Sequence, residues 1–429
     1  MESGAPTDPW KRWLSSEPLR FLALSIVLVT LLIAPLYHLH VINRNMPPAK
    51  ADLVPVWIGA RVALHHGDPY SAQTTRQIQL AYYGRPVRPR DGVNLMAFAY
   101  PAYTVILFAP VAHLSWPVVR LIFLLLLPLL TAVSLPLWLR VTGIRLSPHR
   151  LALTLVLTLA SWPVVWGVHQ IQPTLIVAAL AAAGCFLLQR GNPTLAGILF
   201  ALATIKPQLV GPLIAWLCLW TLLRREWRFL ASLTLSLAAL LGSATWLLPG
   251  WVPRWRVAMA QYLVYRHLLP DLDVIFGHWG GLSLAVLLAS AAAIPLWRGR
   301  RCAPDSPAFG ALCALALATT VCLIPNEFGM VYNHVLLLPA CLILVLTEPV
   351  PSLSDSTRRF AKAVLVIDFL TVPVAILGET LTRPTDFWDS LPCKDFLLPT
   401  LLTLFLVFTL SPARKPSVAA ELESQTVAV

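Results

Sequence analysis

Thr194–Leu223 reads TLAGILFALATIKPQLVGPLIAWLCLWTLL, thirty residues with one charge, Lys206. About 18 or more apolar residues in succession are enough to cross a bilayer core. This run is longer than one crossing needs, and Pro207 follows its only charge. Proline has no amide hydrogen and leaves an upstream carbonyl without its helical partner. The run reads either as one long span or as two segments broken at Lys206-Pro207. It ends on Arg224, Arg225 and Arg228, the cationic flank expected of a membrane helix on its cytoplasmic side.

Similar runs lie on both sides of this one. They fall at roughly 97–113, 118–140, 151–168, 173–189, 228–249, 280–297, 308–324, 332–347, 360–379 and 395–411, with a first at Phe21–Val41. Together they predict an all-α polytopic membrane protein of about 12 transmembrane helices. Both termini then lie in the cytoplasm: a segment 1–20, a membrane domain 21–411 and a disordered tail 412–429. The first stretch lacks a small-residue cleavage site and reads as a retained helix. Loops 42–96 and 250–279 lie outside, and the first is large enough to carry an amphipathic interfacial helix over Leu53–His66.

Composition agrees. Hydrophobic residues make up 57% of the chain and charged residues 12%, about half the charge of a soluble domain. The formal charge of +12 comes with cations clustered at run ends, as at Arg298, Arg300 and Arg301 and at Arg358, Arg359 and Lys362. That pattern excludes nucleic acid as a partner. A simple alternation of spans puts Arg140, Arg145 and Arg150 outside. They move inside if 97–113 does not cross and 194–223 breaks in two. The seven cysteines show no CxxC spacing, so neither a zinc site nor a disulfide framework is expected. No metal-ligand cluster, phosphate loop or dinucleotide fingerprint is present, so no metal and no cofactor are expected.

Charges in or beside membrane segments carry the chemistry, because burying one costs several kcal/mol unless it is paired or wet. Asp52 fits two readings, a general base toward a hydroxyl or the N-cap of a helix that begins at Leu53. Gln170 and Gln172, after His169, are either ligands of a polar substrate or an ordinary polar turn. Lys206 is a cation at a helix break, suited to a phosphate, or a lysine reaching for the interface. Asn326, Glu327, Tyr332, Asn333 and His334 flank a late helix boundary, where His334 can donate to a phosphate oxygen. Loop 250–279 adds Arg254, Arg256 and Arg266 among Trp251, Trp255, Tyr262 and Tyr265.

In this order the residues resemble glycosyltransferase family 87, the polyprenyl-phosphate-mannose-dependent mannosyltransferases of GT-C fold. The resemblance runs over roughly residues 50 to 345. Asp52 through Gly59-Ala60-Arg61 to Gly67-Asp68-Pro69-Tyr70 is similar to the family's acidic residue, small-residue helix and GDPY turn. Phe98-Ala99-Tyr100-Pro101 is similar to its F-x-Y-P-P element, with Ala102 in place of the second proline. Gln170–Gln172, Lys206-Pro207 with Arg224-Arg225-Glu226-Trp227-Arg228, and Tyr332-Asn333-His334 follow in order. His169 stands where a glycine is usual.

The resemblance implies a lipid-phosphate sugar donor, a glycolipid or glycan acceptor, and one inverting displacement on the extracytoplasmic face of the plasma membrane. Asp52 becomes the base. Lys206 and His334, with an arginine such as Arg266, face the leaving phosphate, while Gln170, Gln172, Arg61, Asp68, Tyr70 and Tyr100 bind substrate. A transporter or lipid flippase, which also fits the helix count and the broken run, and an oligosaccharide ligase are the competing readings.

Overall fold

The computed structural model describes residues 49–91, 93–265, 271–324, 330–347, 358–365 and 393–410. The expected first helix over 21–41 and the segments 1–20 and 412–429 lie outside these. Every regular element among the described residues is a helix, and none is a β-strand. In chain order the helices are α1 Val54–Leu64, α2 Ala72–Tyr83, α3 Tyr103–Ala112, α4 Trp116–Val141, α5 Pro148–Ala160, α6 Trp162–His169, α7 Thr174–Gln189 and α8 Pro193–Ala203. They continue as α9 Pro207–Leu223, α10 Trp227–Leu247, α11 Trp251–Tyr265, α12 Asp271–Arg298, α13 Pro307–Leu323, a 3-10 segment Val331–Leu337, α14 Leu338–Leu346 and α15 Cys393–Leu410.

Proline in the first turn marks where many of them begin. There the missing N–H costs nothing, because the first amides of a helix have no partner anyway. Asn192 before α8 and Ser306 before α13 accept the N–H of Leu195 and Phe309, satisfying one of those amides. Trp116–Val141, Trp227–Leu247 and Phe276–Arg298 are long and apolar enough to cross a bilayer, and α5 with α6 makes a further span bent by 50°. The bend falls at Ser161, with Pro163 just beyond it.

The run 194–223 breaks in two, into α8 and α9, at Thr204–Lys206. Glycines let α8 pack closely on its neighbours α10 and α7. Gly197 of α8 lies against the backbone of Phe229 and Leu233 in α10, and Gly184 of α7 lies against the Phe200 ring. Any side chain at 197 would collide with the facing helix.

These connections sort the turns into two ends. α4 begins beside Trp57, whose ring centroid is 5.4 Å from that of Trp116, and finishes where Gly310 of α13 abuts Val141. Pro307 lies 3.5 Å from where a side chain at Gly143 would start. The 142–147 turn therefore shares an end with the turn before α13. Gln189, Pro193, Trp220, Arg225 and Pro304 line one cavity, which adds the α7–α8 and α9–α10 turns to that end. Arg140, Arg145 and Arg150 thus sit with Arg224, Arg225 and Arg228. The simple alternation that separated them is corrected, because α3, with 10 residues, is about 15 Å long and too short to cross.

One expectation about the first loop also changes. The helix predicted over Leu53–His66 forms as α1, but it does not lie exposed on a surface. Val54, Pro55, Val56, Trp57, Gly59, Ala60 and Ala63 are all buried, and the open face is confined to Arg61 with the half-buried Ile58, Val62 and Leu64. α2 and α3 pack on it, and Gly59 lets the Phe98 ring close against its backbone.

Candidate active site

Four irregular stretches meet at the end opposite the cavity: 50–53 before α1, 170–173 between α6 and α7, 204–206 between α8 and α9, and the 3-10 segment. Each is a helix terminus, where backbone and side-chain polar groups are left over for other partners.

The 170–173 stretch is the most constrained. α6 ends in a doubly hydrogen-bonded left-handed cap: Ile171 N–H donates to Val168 O at 3.1 Å and Gln172 N–H to Gly167 O at 2.8 Å. The left-handed position is held by Ile171, at φ +49°. A β-branched residue there costs about 1–2 kcal/mol relative to the right-handed conformation, and burial of the Ile171 side chain holds it in place. The turn presents Gln170 O to the backbone N–H of Asp52, 2.8 Å away, and turns the Gln172 side chain the same way.

Gln172 joins two charges. Its Nε2 donates to Asp52 Oδ2, and its Oε1 accepts from Lys206 Nζ at 2.6 Å. Only one amide orientation satisfies both neighbours, since a carboxylate accepts and an ammonium donates. Lys206 Nζ also donates to Thr174 Oγ1 at 3.0 Å, and that hydroxyl lies 3.2 Å from Asn333 Oδ1. The Tyr332 ring lies beside the ammonium, its centroid 5.4 Å away. Lys206 is only 9% exposed and His334 5%. Tyr103 donates from its hydroxyl to Thr204 O at 2.7 Å, pinning the turn that carries Lys206.

The helix-cap reading of Asp52 fails here. α1 starts at Val54, its N-cap is Leu53, and no side chain caps it. The carboxylate of Asp52 points instead to Gln172. Lys206 does not reach for an interface either, because its ammonium lies inside the cluster.

Tyr100 flanks the site. Burial and the negative charge of Asp52 hold its phenol well above the usual tyrosine range, so it stays a protonated donor. Tyr70 and Asp68 act one layer out. The Tyr70 hydroxyl donates to Tyr100 O at 2.7 Å, and Asp68 pairs with Arg254 of α11 at 3.0 Å. α11 grips the same segment, with Trp255 Nε1 donating to Ala99 O at 3.0 Å and Tyr262 Oη bonding both N and O of Ala97 at 2.9 Å. Arg61 stands apart, exposed on α1 and stacked over Trp57 at 4.8 Å. Arg266, Asn326 and Glu327 lie outside the described residues. Thr174, Tyr103 and Thr204 were not singled out from sequence. Threonine and tyrosine in apolar helices carry no signal until their partners are known. Among the described residues no group of three His, Cys, Asp or Glu side chains is placed to hold a metal.

Residues 98–347 match glycosyltransferase family 87. The chain belongs to glycosyltransferase family 87. No curated protein and no solved structure matches it. Family membership makes the chain a membrane glycosyltransferase, acting on a sugar donor and an acceptor. The matched region holds Tyr100, Gln170, Gln172, Lys206 and His334. Asp52 precedes it, and is tied into the glycosyltransferase core by the two hydrogen bonds from its backbone N–H and to its carboxylate.

Proposed function

We propose that this glycosyltransferase moves a hexose, mannose on the family resemblance, from a polyprenyl-phosphate donor to a lipid or glycan acceptor. The transfer inverts the anomeric centre and takes place on the extracytoplasmic face of the plasma membrane. The observation that carries this reading is the Gln172 amide between Asp52 and Lys206, which fixes an anion and a cation side by side in an apolar bundle.

Each partner has a role in one displacement. The Asp52 carboxylate takes the proton of the acceptor hydroxyl, whose oxygen attacks the anomeric carbon. The bond from that carbon to the donor phosphate breaks, and the phosphate leaves with the electron pair. Lys206 has three N–H donors, two of them used by Gln172 and Thr174, so one remains for the developing negative charge. His334, one residue beyond Asn333, is suited to the same anion. A fixed cation in a water-poor site stabilises such charge far better than one in water. Tyr100 contributes a neutral hydroxyl beside the base. The polyprenyl chain is held by the surrounding membrane and its lipids.

The test is Asp52→Asn, assayed with polyprenyl-phosphate hexose in membranes. Transfer falls by two to four orders of magnitude (~10²–10⁴-fold), while the amount of protein in the membrane is unchanged. Retained transfer removes Asp52 as the base. Movement of the lipid-linked sugar across reconstituted vesicles, with no glycosylated product, would favour a transporter instead.

A further inference from the structure

The cavity at the other end of the bundle has a volume of about 430 Å³ and is lined by Gln189, Trp220, Arg225, Glu226, Trp227 and Arg228 among others. It is far from Asp52. α7 and α9 both start in the Asp52 cluster and both end at the cavity. Their 16 and 17 residues correspond to about 25 Å, close to the thickness of a bilayer core.

Arginines at helix ends follow from the orientation rule alone, but three features go beyond it. The first is an unusual cap. α4, α7 and α9 end at this pole in the same doubly hydrogen-bonded left-handed cap. α4 and α7 fill the left-handed position with Gly143 and Gly191, whereas α9 fills it with Arg225, at φ +60°. Glycine adopts that conformation without strain and arginine does not, so the side chain is kept against a local cost. The second is a lack of anionic partners. The ion pairs among the described residues are Arg85–Asp91 and Arg254–Asp68. No carboxylate there neutralises Arg224, Arg225 or Arg228, although Glu226 lines the same cavity. The third is Arg224, which does not line the cavity but backs Trp220, which does: its guanidinium lies 5.0 Å from the Trp220 centroid and donates to Cys302 O at 3.2 Å. Its Nε is buried with no partner, and a buried donor left unpaired costs about 1–3 kcal/mol.

The rim tells where a ligand comes from. Trp227 is 58% exposed, and Leu195 and Leu222, each two residues from the lining, are exposed as well. An apolar rim around a cationic hollow suits a molecule with an acyl tail and a phosphate head.

We propose that this cavity binds the phosphate headgroup of an anionic membrane lipid, in the leaflet opposite Asp52. Basic pockets between transmembrane helices recognise such headgroups elsewhere. Arg225 and Arg228 take the phosphate oxygens, Gln189 and Glu226 meet headgroup hydroxyls, and Trp220 and Trp227 hold the glycerol level.

The experiment uses the full chain in phosphatidylcholine nanodiscs, titrated with phosphatidylglycerol and read by native mass spectrometry and thermal shift. Arg225→Gly loses at least about fivefold in phosphatidylglycerol affinity, and Arg228→Ala loses as much. Because glycine relieves the left-handed strain, Arg225→Gly melts no lower than wild type without anionic lipid, so its loss of binding is not a loss of fold. Arg300→Ala with Arg301→Ala removes two charges from the same end, outside the cavity, and leaves the affinity unchanged. Undiminished binding by Arg225→Gly and Arg228→Ala, or an equal loss in the Arg300/Arg301 variant, overturns the site. Displacement of the lipid by millimolar inorganic phosphate overturns the lipid assignment in favour of a free anion.

Discussion

Lys206 has no carboxylate within ion-pair distance among the described residues. Its ammonium rests on the neutral oxygens of Gln172 and Thr174, with Asp52 one amide beyond. A buried charge held this way is not retained for stability, since desolvating an ion costs more than two neutral hydrogen bonds return. Lys206→Met therefore leaves the melting temperature unchanged or higher, while sugar transfer falls ~10²-fold or more through the loss of charge stabilisation. A variant that melts well below wild type yet transfers sugar normally would reverse that assignment. Asp52, Gln172 and Lys206 each stood out in the sequence as polar groups beside apolar runs. That they form one chain of hydrogen bonds was not legible, because Asp52 and Gln172 lie 120 residues apart and Gln172 and Lys206 34. The choice between base and helix cap at Asp52 turned on a shift of one residue in where α1 starts, and local sequence resolves helix ends no better than that.

At the scale of elements, α11 braces the segment 97–100 that carries Tyr100. It does so with the two Tyr262 hydrogen bonds, the Trp255 indole and the Arg254–Asp68 pair. The strap has no regular secondary structure of its own, so these bonds and the Phe98 contact with Gly59 fix its position. Tyr262→Phe leaves the N–H and C=O of Ala97 without this partner, at about 1–3 kcal/mol. Transfer then drops several-fold and limited proteolysis cuts near 97–100 sooner, while Asp52-dependent activity persists. Unchanged proteolysis and rate together would show that the strap is held by packing alone. The aromatic and cationic residues of loop 250–279 were visible in sequence, but whether they faced lipid or protein was not. A tyrosine reads the same in both roles until its acceptor is found. α1 is the converse case. Its spacing predicts one buried face, and the structure buries more than that face, because α2 and α3 pack on it and leave only the side of Arg61 open.

The described residues have a polar end, where the reaction is proposed, and a cationic end, and the short turns distinguish the two. Arg140, Arg145, Arg150, Arg190, Arg224, Arg225, Arg228, Arg298, Arg300 and Arg301 all sit at or beside turns of the cavity end. The 3-10 segment and α14, together about 27 Å long, carry the chain from Val331 to the same end, where Arg358 donates to Thr347 O. The Asp52 end has arginines too, at 76, 85, 88 and 90, but they belong to the long first loop. There Asp91 is drawn below the usual carboxylate range by its bond to Arg85. The orientation rule weighs cations in short loops near span ends and gives little weight to long ones. We therefore propose that the cavity end faces the cytoplasm and Asp52 faces out, which is the side a lipid-linked donor without a nucleotide requires in the proposed reaction. Single cysteines in a cysteine-depleted background test this with an impermeant maleimide. Gln73→Cys labels in intact cells. Arg145→Cys and Arg301→Cys label only in inverted vesicles, and they behave alike because the 142–147 turn lies against Pro307. Labelling of Arg145→Cys together with Gln73→Cys would separate turns that the packing of α4 on α13 joins, and would put the reaction end and the cationic end on the wrong sides for this chemistry.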